Sequence, residues 1–282
     1  MTNGGLNTLF SRSATQLSAA LLVLDPLSSD RRPAGSVHVS VSETGKAAVR
    51  NRSGYYLILD HSPGPITVQI ESDFYLPETV AVTVPEPGEE PALAEVRLMP
   101  NPAYPFPSDI ALLRGIVRRQ GGEAADRAEV SVTVMQPQTF VKARLAEPAH
   151  AGDTAIKLEL ANGPLAAGDV LMIRESAAKS EFCKLAEVVP PDQGDAVCML
   201  TGSLKQNYDA MTPLYWLEPY FAATTRTAAK GEWALPVASM RSSIGYASVT
   251  AAEPGLTQSV QLDAEIMEGS VTSLGVISLP PL

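Results

Sequence analysis

The sequence holds little of what would announce a chemistry. In 282 residues there are two cysteines, three histidines and two tryptophans, and aromatic residues make up only 6%. Two cysteines cannot form a disulfide framework, which excludes the small stapled secreted scaffolds. Cys183 and Cys198 flank an expected hairpin turn, where a cross-strand bridge is conceivable; buried free thiols are the expected state. His38, His61 and His150 lie in three separate segments without His-x-x-x-His spacing, so they are expected as solvated strand or turn residues rather than metal ligands. Glu86, Glu89 and Glu90 share a Pro-rich loop but lack the spacing of a calcium loop. A Gly-x-Ser-x-Gly elbow is missing, as is a glycine-rich phosphate loop ahead of a helix.

Basic charge is also scarce. Lys and Arg number 21 against 31 Asp and Glu, a formal net charge of −10, which argues against a nucleic-acid partner. The apolar run Ala19–Leu24 is far too short to span a bilayer, so no membrane insertion is expected. Met1–Phe10 carries neither the basic start nor the apolar stretch of a signal peptide. The expectation is a protein made and kept in the cytoplasm, or one that leaves without a cleaved signal. In that setting the glycosylation sequon Asn51-Arg52-Ser53 is read as accidental.

What is present is strand patterning. Hydrophobic residues make up 45% of the chain, and 23 Pro and 20 Gly punctuate it. No long amphipathic helix pattern appears, which favours an all-β chain. The run Arg50-Asn51-Arg52-Ser53-Gly54-Tyr55-Tyr56-Leu57-Ile58-Leu59-Asp60 leads through Pro63-Gly64 into Ile66, Val68 and Ile70 alternating with Thr67 and Gln69. Period-two alternation on either side of Pro-Gly reads as strand, tight turn, strand. Val37, Val39 and Val41 repeat the pattern against His38, Ser40 and Ser42. Strands are expected at Leu17–Leu24, Ser36–Val41, Ala47–Arg50, Tyr55–Asp60, Ile66–Glu71, Thr79–Val84 and Ala94–Leu98. After the stiff stretch Met99–Pro107, further strands are expected at Leu112–Arg119, Glu129–Val134, Tyr220–Thr225, Gln258–Leu262 and Ser273–Leu279.

The hairpin "SGYYLILDHSPGPITVQI" resembles the central hairpin of the carboxypeptidase-regulatory-like, or transthyretin-like, β-sandwich family. A looser copy runs from Thr225 through Lys230-Gly231-Glu232-Trp233 to Gly245-Tyr246-Ala247-Ser248-Val249-Thr250, making an internal repeat. Between the repeat's strands, "AGDTAIKL" and "AAGDVLMI" resemble a small β-barrel module of phage tail and baseplate proteins. The family name implies no peptidase here, since the chain lacks a His/Glu zinc set. Some relatives of this sandwich carry a Lys–Asn isopeptide bond. Leu17–Leu24 and Leu112–Val117 contain no lysine, and Ala94–Leu98 and Ser273–Leu279 contain no asparagine, so no such crosslink is expected.

The expected fold is all-β: two transthyretin/Ig-like antiparallel β-sandwiches, the second interrupted by a small β-barrel insertion. Expected boundaries are an arm over 1–16, a first sandwich over 17–99 and a Pro-rich connector over 100–111. The second sandwich takes 112–142 and 218–282, and the insert 143–217. The order of these parts resembles accessory structural proteins of phage-tail-like contractile injection systems. The resemblance implies a non-enzymatic component at a cap, baseplate or fibre position, assembled in the cytoplasm and released, if at all, within an extracellular particle. Its partners would be sheath, tube, cap or baseplate subunits, or further copies of itself. No catalytic, cofactor-binding or metal residue and no cofactor is assigned. The alternative is an adhesin or carbohydrate-binding module, for which Tyr55, Tyr56, Tyr75, Trp216, Tyr220 and Trp233 are the aromatic candidates.

Overall fold

The computed structural model describes residues 15–160, 162–176, 178–189, 194–238, 240, 242–255 and 258–281, so the expected N-terminal arm lies almost wholly outside the described residues. The chain is all-β: among the described residues every helix or strand assigned is a strand. It divides into two compact units, Met1–Pro105 and Phe106–Leu282.

The first unit contains β1 (Leu17–Leu24), β2 (Val37–Val41), β3 (Val49–Arg50), β4 (Tyr55–Leu59), β5 (Gly64–Ser72), β6 (Glu78–Val84) and β7 (Ala92–Arg97). One sheet has the order β3-β4-β1-β7, with β4 antiparallel and β7 parallel to β1; the other has the order β2-β5-β6. Alternation decides which side chains go inside. Ile66, Val68 and Ile70 of β5 are buried while Thr67 and Gln69 are not, and Val39 and Val41 of β2 are buried while His38 is exposed. Leu21, Val23, Tyr56 and Ile58 line the facing sheet. Full burial of one such side chain contributes about 1.5–3 kcal/mol.

The part of the Pro-rich stretch from Met99 to Tyr104 is built into this unit. Tyr75 bridges Pro100, Leu76 N–H donates to the Met99 carbonyl at 2.8 Å, and Asn101 N–H donates to that of Phe74 at 3.0 Å. Tyr104 reaches the buried Asp25 at the end of β1, donating to Oδ2 at 2.7 Å; Tyr75 donates to the same oxygen at 2.8 Å. The two rings meet edge to face, 5.5 Å between centroids. Leu27 N–H satisfies Oδ1 at 2.8 Å.

Burial, reinforced by the Asp25 carboxylate, pushes both phenols well above the ordinary tyrosine range; burial likewise raises Tyr56, Tyr208 and Tyr246. A phenol with a raised folded pKa contributes stability that is whole below the unfolded value of about 10 and is lost as pH rises beyond it. Stability should therefore hold through neutral pH and fall above pH ~10, by up to about 1.4 kcal/mol per pH unit for each such group. Phenolate absorbance of these five tyrosines should appear late, in each unit together with loss of its far-ultraviolet strand signal. Early, reversible ionisation in a folded chain would contradict it.

The second unit contains β8 (Ala111–Arg118), β9 (Glu129–Leu145), β10 (Ala155–Leu160), β11 (Val170–Arg174), β12 (Ser180–Val189), β13 (Ala196–Leu200), β14 (Pro213–Arg226), β15 (Glu232–Val237), β16 (Ile244–Ala252), β17 (Ser259–Met267) and β18 (Val271–Ser278). Its β8 is flanked by antiparallel β15 and parallel β18, as β1 is by β4 and β7, and β9-β16-β17 repeats the order of β2-β5-β6. The internal repeat is thus a repeat of topology. Val130, Val132, Val134, Leu113, Val117, Trp233, Leu235, Val249 and Ile277 belong to one core. Trp233 lies flat enough on β8 that a Cβ at Gly115 would fall 2.8 Å from its Nε1.

Between the repeat's strands the chain forms a closed set of pairings: β9 with β10, β10 with β13, β13 with β12, β12 with β11, β11 with β14 and β14 back to β9. The ring is filled by side chains, among them Leu145, Leu158, Leu171, Ile173, Leu185, Tyr208 and Leu214. Its two Gly-Asp turns use one device. Gly152 and Gly168 take φ of 98° and 92°, and the following Asp153 and Asp169 accept the N–H of His150 at 2.7 Å and of Ala166 at 2.9 Å. No loop separates ring from sandwich, because β9 and β14 each run unbroken from one into the other. Lys184 pairs with Asp263 and Lys205 with Glu265, both at 2.7 Å, and Phe182 meets Tyr246 edge on, tying the ring's outer wall to β16 and β17.

Candidate functional site

A strongly charged concavity lies at the C-terminal end of β1. There the β1–β2 loop and the β3–β4 turn face each other, because β4 pairs antiparallel with β1 and sets Tyr55 opposite Leu22. The cleft is open, about 460 Å³ in volume, and is lined by Leu22–Leu24, Asp30–Pro33 and Arg50–Gly54. Four of these residues are arginines, Arg31, Arg32, Arg50 and Arg52, and Asp30 is the one acid.

Both walls are held by local hydrogen bonds. In the loop, Asp25 N–H donates to the Arg31 carbonyl and Arg31 N–H to that of Ser28, each at 3.0 Å. Arg31 is thereby kept at a φ of 58°, a left-handed conformation that costs a residue with a Cβ about 1–2 kcal/mol. The Ser28 hydroxyl donates to Asp30 Oδ1 at 2.6 Å and Arg32 N–H at 3.0 Å, and these bonds hold the Asp30 carboxyl below its usual range. In the turn, Asn51 accepts from Tyr55 N–H through Oδ1 at 2.9 Å and donates its own N–H to the Tyr55 carbonyl at 2.8 Å. Gly54 closes the turn with a φ of 92°.

The guanidiniums are only partly engaged. Arg32 approaches Asp30 at 3.6 Å, and Arg50 lies over the Tyr56 ring at 5.6 Å. All four arginines are exposed. Planar guanidiniums with free donor edges recognise carboxylate, phosphate or sulfate through forked hydrogen bonds. Four exposed guanidiniums on two walls give the cleft the chemistry to take an anion, on a chain whose net charge is −10.

A second concavity, about 310 Å³, lies on the second unit where β9 and β14 pass from sandwich to ring. It is lined by Gln136–Phe140, Glu218, Tyr220 and Ser242. Gln138 donates to Glu218 at 3.1 Å, while its Oε1 is buried without a partner.

The aromatic candidates are not brought together. Tyr56 and Tyr75 are buried in the first unit and Trp233 in the core of the second. Tyr55 is half-buried beside the arginine turn. Trp216 is exposed with Lys142 Nζ 4.4 Å from its ring centroid, and Tyr220 alone lines the second groove. The histidines are likewise scattered: His38 opposite Glu71 on β2, His61 after β4, His150 3.8 Å from Asp153. Among the described residues no three His, Cys, Asp or Glu side chains gather as a metal site would require. Cys183 and Cys198 are free and buried; they sit opposite Leu171 and Val188 respectively, not opposite each other. Burial pushes their thiols up to about 12 and about 11.

The arginine cleft has a signal in the sequence. Arg31-Arg32-Pro33 and Arg50-Asn51-Arg52 are two arginine pairs in polar turns of an acidic chain. Their convergence depends on the β1–β4 register and cannot be read from either segment alone.

No protein-family model matches the chain, and no curated protein matches it in sequence. Solved structures similar to it include the shaft pilin spaA from Lactobacillus rhamnosus GG, at 7% identity and a TM-score of 0.23 over 96% of this chain and 98% of that one. The major pilin subunit BcpA of Bacillus cereus gives 7% identity and a TM-score of 0.25 over 93% and 68%. The major pilin SpaD from Corynebacterium diphtheriae gives 11% and 0.22 over 91% and 66%. At such scores these similarities carry no argument about fold or function.

Proposed function

We propose that the chain is a non-enzymatic structural and assembly component, working through protein–protein contacts in a phage-tail-like contractile injection particle at a cap, baseplate or fibre position. The observation that supports a scaffolding role is the build of the second unit. Two strands, β9 and β14, run continuously through both sandwich and ring, and ion pairs Lys184–Asp263 and Lys205–Glu265 brace the junction. Strand β18 lies at a sheet edge and presents Val271 and Val276, 62% and 56% exposed. Edges of this kind suit docking by strand addition. The particle itself comes from the resemblance of the sequence motifs to accessory proteins of contractile injection systems.

Native pull-down of the tagged chain from producing cells, followed by mass spectrometry, tests the reading. Sheath and tube proteins are expected in the eluate, and their absence would overturn it. The second reading, a carbohydrate-binding module, is favoured by one observation: the groove that joins Phe140 and Tyr220 to Gln138 and Glu218. Saturable glycan binding abolished by Tyr220→Ala would move the assignment there.

A further inference from the structure

We infer that the arginine cleft of the first unit is a docking site for a short carboxylate-rich peptide segment of a protein partner, an inference that rests on the assembly reading above. Three features of the cleft point to that ligand class. The guanidiniums come from two separate walls, Arg31 and Arg32 from the β1–β2 loop and Arg50 and Arg52 from the β3–β4 turn. A ligand touching both walls carries more than one anionic group along its length, and the cleft is far roomier than a single phosphate needs. The half-buried Leu22 and Leu24 contribute to the lining, along with Asn51 and Ser53. That mixture matches a peptide's methylenes, amides and carboxylates.

The surroundings disfavour other polyanions. Among the described residues no aromatic side chain lines the cleft, so bases or sugar rings find no aromatic ring to stack on there. The rest of the chain is acidic, with a net charge of −10 overall. At physiological ionic strength charges are screened beyond roughly 8 Å. A few carboxylates confined to the cleft therefore feel its arginines, whereas a long, uniformly charged nucleic acid or sulfated glycan also meets a chain with an excess of acids. The walls are also preorganised: the Asp25–Arg31, Ser28–Asp30 and Asn51–Tyr55 hydrogen bonds fix the backbone that carries each arginine, so little ordering is left to occur on binding.

The test is fluorescence anisotropy of a labelled hexaglutamate peptide with the full chain, at low and at physiological ionic strength. Saturable binding that weakens with salt is expected. Arg31→Ala/Arg50→Ala/Arg52→Ala, which removes three charge-assisted donors together, should weaken it by about tenfold or more. These side chains are exposed, and an unchanged melting curve of the variant shows that its fold is intact. Arg50→Lys/Arg52→Lys, which keeps the charge and loses the fork, should bind between the two. Binding by the alanine variant equal to that of the parent would overturn the inference, as would full retention by the lysine variant. So would tighter binding of inorganic phosphate or of a heparin oligosaccharide than of the peptide. The two proposals fail separately. A triple alanine variant that still co-purifies with sheath and tube proteins, from a parent that does not bind the peptide, removes the cleft and leaves the assembly reading. Peptide binding by a parent that captures no particle protein does the reverse.

Discussion

Gly231→Ala is expected to destabilise the second unit by roughly 3–5 kcal/mol, at the upper end of what one methyl group does. Gly231 has a φ of 78°, and a Cβ there would lie 2.3 Å from the carbonyl oxygen of Val117. That oxygen cannot withdraw: it accepts Ala125 N–H at 3.1 Å, while Val117 N–H donates to the Gly231 carbonyl at 2.7 Å. Val117 itself is fully buried in the core that includes Trp233. Relief would have to move β8 or unseat the turn ahead of β15, and with it the indole packed on Gly115. Gly122→Ala is the control. Its φ is 90° and no atom of the described residues lies within 4 Å of the added Cβ, so only the conformational cost of about 1–2 kcal/mol applies. Thermal denaturation of the two variants should separate them clearly. Equal losses would show that the Val117 contact is not what makes Gly231 obligatory.

Asp25→Ala should produce the second large loss, about 3–4 kcal/mol, in the first unit. The side chain is fully buried and accepts three hydrogen bonds, from Tyr75, Tyr104 and Leu27 N–H. Bonds to a charged acceptor contribute about 1.5–3 kcal/mol each, and two phenols left buried without an acceptor add a desolvation penalty; the sum is less than additive because the chain relaxes. For a unit of this size the expected fall in melting midpoint exceeds about 12 °C. Tyr104→Phe should lose less, and the double variant should be no worse than Asp25→Ala alone, since the phenol has then lost its partner already. Hydrogen exchange read on residues 17–24 and 99–104 would locate the effect. Protection unchanged in 99–104 would contradict the role of Asp25 in holding the Pro-rich stretch.

These two positions mark where sequence patterning speaks and where it stops. Alternation reports burial on one face, so Ile66, Val68 and Ile70, and Val39 and Val41, were readable directly. A strand whose pattern is interrupted is harder to see. Glu129–Val134 reads as a short strand, yet β9 continues to Leu145. Gln136-Pro137-Gln138 breaks the alternation, and Pro137 is tolerated because it lies opposite Leu217, at a register shift where Gln138–Phe140 of β9 bulge out of the pairing with β14. The reverse holds for Ala47–Arg50, where only Val49–Arg50 is strand and Ala47 makes a lone bridge to Ser40. The buried Asp25 looks, in sequence, like an ordinary Asp-Pro turn; only the distant Tyr75 and Tyr104 give it a role. The same holds for the cleft. Each arginine pair is visible, but the antiparallel pairing of β4 on β1 is what joins them.

The assembly reading meets its most direct test in microscopy. Particles from producing cells would be negatively stained after gold labelling of a tag on the chain. Gold at one fixed position on rod-shaped particles is the predicted result. Unlabelled rods beside a chain that sediments alone, or gold found only on cell-surface glycan, would contradict it.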